Sequence, residues 1–126
     1  MNSREDAEAF AREWIANWNA LDVEAVMSHF VEGARFMSPT AARVVGSGEL
    51  HGATALRSYW EAAIKRVTSL HFTLDFVVWD AGRRTLIVFY DADINGKKTR
   101  ACELMKFDAD GRQVSGEALY GAAIAG

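Results

Sequence analysis

Glu103 is a carboxylate set among Val88, Tyr90, Ala101 and Met105, and that setting follows from one turn. Asn95-Gly96 is a strong hairpin signal, because both residues tolerate the positive φ of a type I′ turn. A two-residue turn pairs Ile94 with Lys97 and continues through Asp93–Lys98, Ala92–Thr99, Asp91–Arg100, Tyr90–Ala101, Phe89–Cys102, Val88–Glu103, Ile87–Leu104 and Leu86–Met105. Alternate pairs face opposite sides of the sheet. One side carries Asp93–Lys98, Asp91–Arg100, Phe89–Cys102 and Ile87–Leu104; the other carries the remaining pairs, including Val88–Glu103. Burying an isolated carboxylate costs several kcal/mol unless the group stays protonated. Two readings of Glu103 stand. It is a pocket carboxyl acting as general acid, general base or polar anchor, or a structural carboxyl paired with Arg35, Arg43 or a tyrosine hydroxyl.

The aromatic residues Trp14, Trp18, Phe36, Tyr59, Trp60, Tyr90 and Tyr120 fall on faces expected to converge, with Met105 beside them. They would line a cavity for a planar or apolar molecule, or make an ordinary core. Tyr59 and Tyr120 add hydroxyls that need partners when buried, and Ser38 adds another. His29, His51 and His71 are scattered, without the spacing of a metal site; only His51, at the mouth of a helix, would reach a pocket. No metal and no cofactor is expected. Asp91 and Arg100 read as an ion pair on the solvated side; a bulge that shifted the hairpin by one residue would turn them inward. Cys102 reads as packing on the outer side.

Three helices and a run of strands must position these groups. Ala7, Phe10, Ala11, Trp14, Ile15 and Trp18 recur three or four apart, which predicts a helix over Ser3 to Asn19. Asp22 is an N-cap for a shorter helix carrying Val23, Val26, Met27 and Phe30, ended by Gly33. Ala34 to Ser38 reads as a short strand stopped by Pro39, and Thr40 to Gly52, with three glycines, as a loop. Leu56, Tyr59, Trp60, Ala63, Ile64 and Val67 mark a third helix. Beyond Ser69 the period changes to two. Phe72, Leu74, Phe76 and Val78 alternate with His71, Thr73, Asp75 and Val77, and strands follow over Thr85–Ile94, Lys97–Phe107 and Gln113–Tyr120. Helices followed by an antiparallel meander predict an α+β fold.

The length of 126 residues fits one domain over residues 1–126. Fourteen Lys and Arg against seventeen Asp and Glu give a net charge of −3, without the basic stripe of a nucleic-acid-binding protein. The polar opening residues and the lack of a long apolar run predict neither a secretion signal nor a membrane span, and a single cysteine fits a reducing, cytoplasmic setting.

The element order resembles the nuclear transport factor 2-like superfamily, which includes SnoaL-like and ketosteroid isomerase-like proteins. The local matches are Leu21-Asp22-Val23-Glu24-Ala25-Val26, Leu50-His51-Gly52-Ala53-Thr54-Ala55-Leu56 and Glu103-Leu104-Met105-Lys106-Phe107-Asp108. The resemblance implies a cone-shaped half-barrel, with three N-terminal helices packed on a curved, mostly antiparallel sheet around a deep apolar pocket. It also implies a homodimer through the outer sheet face, where Phe89–Cys102 and Ile87–Leu104 make an apolar stretch.

The isomerase pattern places an Asp before a Pro at the end of the first strand, and here Ser38 precedes Pro39. Its oxyanion-binding Tyr and Asp correspond to Trp14 and Glu103, so only one carboxyl is kept. Steroid isomerase activity is therefore not expected. The expected function is a small-molecule pocket working without cofactor as an isomerase, cyclase or hydrolase through Glu103. The alternative is a non-catalytic ligand-binding or dimerisation module.

Overall fold

The computed structural model describes residues 1–125. Helix α1 (Arg4–Asn19) begins at Ser3, whose side chain accepts from the Asp6 N–H, and α2 (Val23–Met27) is capped in the same way by Asp22 on Ala25. The elements that follow are β1 (Phe30–Met37), α3 (Pro39–Val45), β2 (Glu49–His51) and α4 (Ala53–Ile64), and then β3 (Leu70–Asp80), β4 (Thr85–Ile94), β5 (Lys97–Phe107) and β6 (Gln113–Ala123). One six-stranded sheet has the order β2-β1-β6-β5-β4-β3, antiparallel throughout except where β1 runs parallel to β6. The sheet is curved and unclosed, and the helices lie on its concave side.

The hairpin register is the one the Asn-Gly turn dictates. Every pair from Ile94–Lys97 to Leu86–Met105 is present, and Thr85–Lys106 extends it. Asn95 and Gly96 carry φ of 54° and 83°, the double positive φ of a type I′ turn.

Three expectations need correction. The second helix stops at Met27, and Phe30 already belongs to β1, where an irregularity between Phe30 and Arg35 absorbs Gly33. The glycine-rich stretch after Pro39 holds an additional helix, α3, and the short strand β2, rather than only a loop. Pro39 does end the strand, but it also opens α3 from the first turn, where its missing N–H costs nothing, and Ser38 caps that helix through Thr40 N. Lastly, a bulge at Asp75 reverses the alternation of β3. Phe72 and Leu74 point inward, but Phe76 pairs with Phe89 and Val78 with Ile87 on the outer face, while Val77 and Trp79 turn in against the core.

Two apolar clusters fill the concave side. One lies under α1 and includes Ala7, Ala11, Trp14, Phe72, Leu86 and Met105. The other lies between α2, α4 and β1 and includes Val26, Phe30, Phe36, Leu56, Tyr59 and Trp60. Trp18 packs against both and meets Trp60 edge-on at 5.6 Å between ring centroids.

Candidate functional site

A cavity of about 310 Å³ opens where the two clusters meet. Trp14 and Trp18 reach it from α1, Phe36 from the end of β1, and Tyr59 and Trp60 from one face of α4. Tyr90 and Glu103 enter from facing strands of the Asn-Gly hairpin, and Tyr120 from β6. The floor is held by ring contacts, with Trp14 against Tyr90 at 5.3 Å and Phe36 against Trp60 at 5.1 Å. Nine of the ten residues singled out in the sequence therefore converge on one cavity. Met105 is the exception. It lies on the same face two residues beyond Glu103, but toward the end of the sheet covered by α1, where it is fully buried in core.

Glu103 stands opposite Val88 on β4 and Ala118 on β6 and is 5 % exposed. Among the described residues no hydrogen bond or ion pair reaches its carboxyl. Arg35 pairs instead with Glu49 at 2.7 Å, and Arg43 donates to Thr40 Oγ1 at 3.1 Å. Space for the carboxyl comes from Gly116, because a Cβ there would stand 3.3 Å from Glu103 Oε2. Burial pushes the Glu103 pKa up to about 8, and the charge of Glu117 adds to the shift. At neutral pH the group is therefore mostly a neutral acid with a proton to donate.

The Tyr59 and Tyr90 phenols stay protonated as well. Burial raises Tyr59 to about 12, with an opposing interaction from the Ser38 side chain. Burial raises Tyr90 well above its ordinary value, and Glu103 contributes in the same direction. Ser38 is buried against the cavity; its oxygen accepts from Thr40 N as the α3 cap, which leaves its O–H free to donate and one lone pair free to accept. Tyr120 is exposed at the mouth, 3.4 Å from Thr40 Oγ1. The buried end of the cavity thus offers O–H donors to an oxygen-bearing ligand, and its walls offer aromatic surface.

The sequence reading named Arg43 only as an alternative partner for Glu103 and missed the other residues at the solvent end. Arg43, Arg66 and Asn95 line the mouth, and Phe72, Val67 and Ile94 line the wall below. Val67 ended the predicted helical stripe and was a signal for this wall; the arginines carried none. His51 pairs with Glu49 at 3.1 Å and does not line the cavity. Asp91 and Arg100 lie on the outer face, as the register requires, and the bulge brings Asp75 to the same guanidinium, with contacts of 3.0 Å and 2.7 Å. Cys102 sits half-buried on that face opposite Phe89. Among the described residues no group of His, Cys, Asp and Glu could hold a metal ion, and no helix is long and apolar enough to cross a membrane.

A curved, unclosed sheet with helices on its concave side and a cavity between them defines a member of the nuclear transport factor 2-like superfamily. Within it, residues 11–116 match the SnoaL-like domain, and the chain belongs to that family. A SnoaL-like protein of unknown function from Burkholderia thailandensis is 30% identical, with a TM-score of 0.84 over 95% of this chain and 98% of that one. A cystatin-like-fold protein of unknown function from Methylobium petroleophilum is 25% identical, with a TM-score of 0.76 over 98% of this chain and 81% of that one. SalBIII, an epoxide hydrolase/cyclase-like enzyme in pyran ring formation in polyether salinomycin, shares the fold at 18% identity, with a TM-score of 0.75 over 96% of this chain and 95% of that one. No curated protein matches the sequence.

Proposed function

We propose that the cavity binds a small, largely apolar or aromatic molecule and that Glu103 delivers a proton to it, as a cofactor-independent isomerase, cyclase or hydrolase would. The observation that carries this reading is a buried carboxyl without a protein partner at the closed end of an aromatic cavity. A carboxyl with a pKa near 8 is matched to proton transfer around neutral pH, because it holds its proton until a substrate oxygen develops charge. Tyr59, Tyr90 and Ser38 are placed to stabilise that oxygen by hydrogen bonds. Cavity volume is at the small end of ligand sites, which run from about 300 to 1,000 Å³.

Ser38 and Trp14 occupy the positions of the isomerase base and phenol, and both line the cavity. Among the described lining residues there is no second carboxylate to abstract a proton, which favours acid-led chemistry, such as opening or closing a ring at a carbonyl or epoxide oxygen, over steroid isomerisation. The fold shared with SalBIII agrees with this choice. The test is turnover of a panel of epoxides and enones of one or two rings by the wild type and by Glu103→Gln. Loss of turnover with retained ligand binding supports the proposal; unchanged turnover in the variant contradicts it.

A non-catalytic binding module is the second reading. Among the described lining residues Glu103 is the one carboxyl, and a single such group also suits a hydrogen-bonding anchor. Binding without turnover across the panel would favour it. The outer face supports assembly with a second copy of the chain. Phe76 and Val78 are 48% and 46% exposed beside Phe89, Ile87 and Leu119, an apolar surface on what is otherwise the solvated side. A cytoplasmic setting agrees with the lone free thiol of Cys102.

A further inference from the structure

We propose that the molecule held in this cavity is an amphiphilic anion, its apolar body among the aromatic side chains and a carboxylate held by Arg43 and Arg66 at the solvent end. The inference rests on the ligand-binding reading above and adds the ligand's charge and its orientation.

Both arginines line the cavity, and both are exposed, so they mark its outer end, as Glu103 marks the inner one. Neither has a carboxylate partner among the described residues. Arg35, Arg57, Arg83 and Arg100 each meet an acidic side chain; Arg12, Arg84 and Arg112 do not, but of the arginines without one only Arg43 and Arg66 line the cavity. The chain as a whole is acidic, with a net charge of −3, yet the cavity carries two guanidinium groups and one acid. That acid, Glu103, is mostly neutral at pH 7, so the lining as a whole is cationic.

The Arg43 guanidinium and the Arg66 backbone are also held in place. Arg43 Nη2 donates to Thr40 Oγ1 at 3.1 Å, which leaves the rest of its fork free, and its charge acts on the Tyr59 phenol inside. The backbone at Arg66 is fixed by Asn95, whose Nδ2 donates to the Arg66 carbonyl at 2.9 Å. Asn95 Oδ1 accepts from Thr68 N at 2.7 Å, Thr68 Oγ1 at 2.9 Å and Ser69 N at 3.1 Å, so the turn after α4 is tied to the hairpin tip. Two guanidinium forks above an apolar cleft suit a carboxylate, because an arginine presents paired N–H donors that match its two oxygens.

The experiment compares 4-(2-naphthyl)butanoate with its primary amide, which has the same shape and no charge. Binding is followed by quenching of the tryptophans at the cavity. In the wild type at low salt the carboxylate should bind at least about tenfold more tightly than the amide, and the preference should shrink as salt is added. Arg43→Gln/Arg66→Gln should remove that preference and leave amide binding within about twofold of wild type. Lys97→Gln removes a nearby charge that does not line this cavity and should keep the preference. Equal affinity of the two ligands in the wild type overturns the proposal while leaving the pocket reading intact. So does a preference that survives the double substitution, or one that Lys97→Gln also abolishes. If neither ligand binds the wild type, the pocket reading fails and the proposal falls with it.

Discussion

Gly116 faces the Glu103 carboxyl so closely that a Cβ at position 116 would stand 3.3 Å from Oε2, with the Phe36 ring at 3.1 Å and Gln113 Nε2 at 3.2 Å on its other sides. The absent side chain on β6 is what admits an acidic side chain on β5 into this interior. Gly116→Ala gains a little by restricting the unfolded chain, but it must push apart groups on three strands. We expect a net loss of about 1 kcal/mol by urea denaturation. An increase in stability would show that Glu103 has room to move aside.

Stability should fall as pH rises. The folded state holds the Glu103 proton up to a pKa of about 8, while the unfolded chain releases it near 4.5, so the native protein binds more protons across that window. The contribution is complete below about 4.5 and is lost as pH rises through about 8, on the order of a few kcal/mol for a fully buried group. Urea melts at pH 6 and pH 9 should differ in the wild type by the part of this loss that falls between pH 6 and about 8. Glu103→Gln should flatten the difference, since its amide does not titrate.

Asn95 joins the hairpin tip to the segment after α4 by four side-chain hydrogen bonds and also carries the positive φ of the turn. Asn95→Gly keeps the turn and removes the bonds; Asn95→Ala removes both. We expect losses of about 1–2 kcal/mol for Gly and about 1 kcal/mol more for Ala. Amide hydrogen exchange at Thr68 and Ser69 should accelerate in both variants. Unchanged protection there would mean that the cavity rim does not depend on this residue.

The outer face offers a test of assembly. Phe76 and Phe89 stack at 4.5 Å with their rings 8° from parallel, beside the Asp75–Arg100–Asp91 cluster. If a second copy covers this face, sedimentation should give a dimer for the wild type and a monomer for Phe76→Glu, with the far-ultraviolet spectrum unchanged. A wild-type monomer at micromolar concentration, or a variant that stays dimeric, would rule the face out.

What was legible in the sequence depended on how local its cause is. The Asn95-Gly96 turn sets the register of two strands by its own dihedral angles, so the inward position of Glu103 and the outward position of Arg100 follow without further information. The bulge at Asp75 was hidden because Phe76, Val77 and Val78 are all apolar, and hydrophobic alternation cannot choose between two faces when both accept such residues. Phe30 continued the helical spacing of Val23, Val26 and Met27, yet it pairs with Gln113 in β1, where the sheet overrides local preference. Helix α3 was missed because the glycines around it read as a loop, although Ser38-Pro39 is also a helix start. Arg43 and Arg66 line one cavity only because α3 and the segment after α4 border it together, and no spacing in the chain announces that.

The central claim is that Glu103 is a protonated acid at the closed end of a ligand cavity, and its titration is the most direct test. The carboxyl carbon of Glu103 should be followed by 13C NMR from pH 4 to pH 10, with its signal assigned by its disappearance in Glu103→Gln. The account predicts a midpoint near 8 that moves when an oxygen-bearing aromatic ligand is added. A midpoint in the ordinary carboxylate range, near 4.5, would mean that Glu103 is charged at neutral pH and cannot be the proton donor.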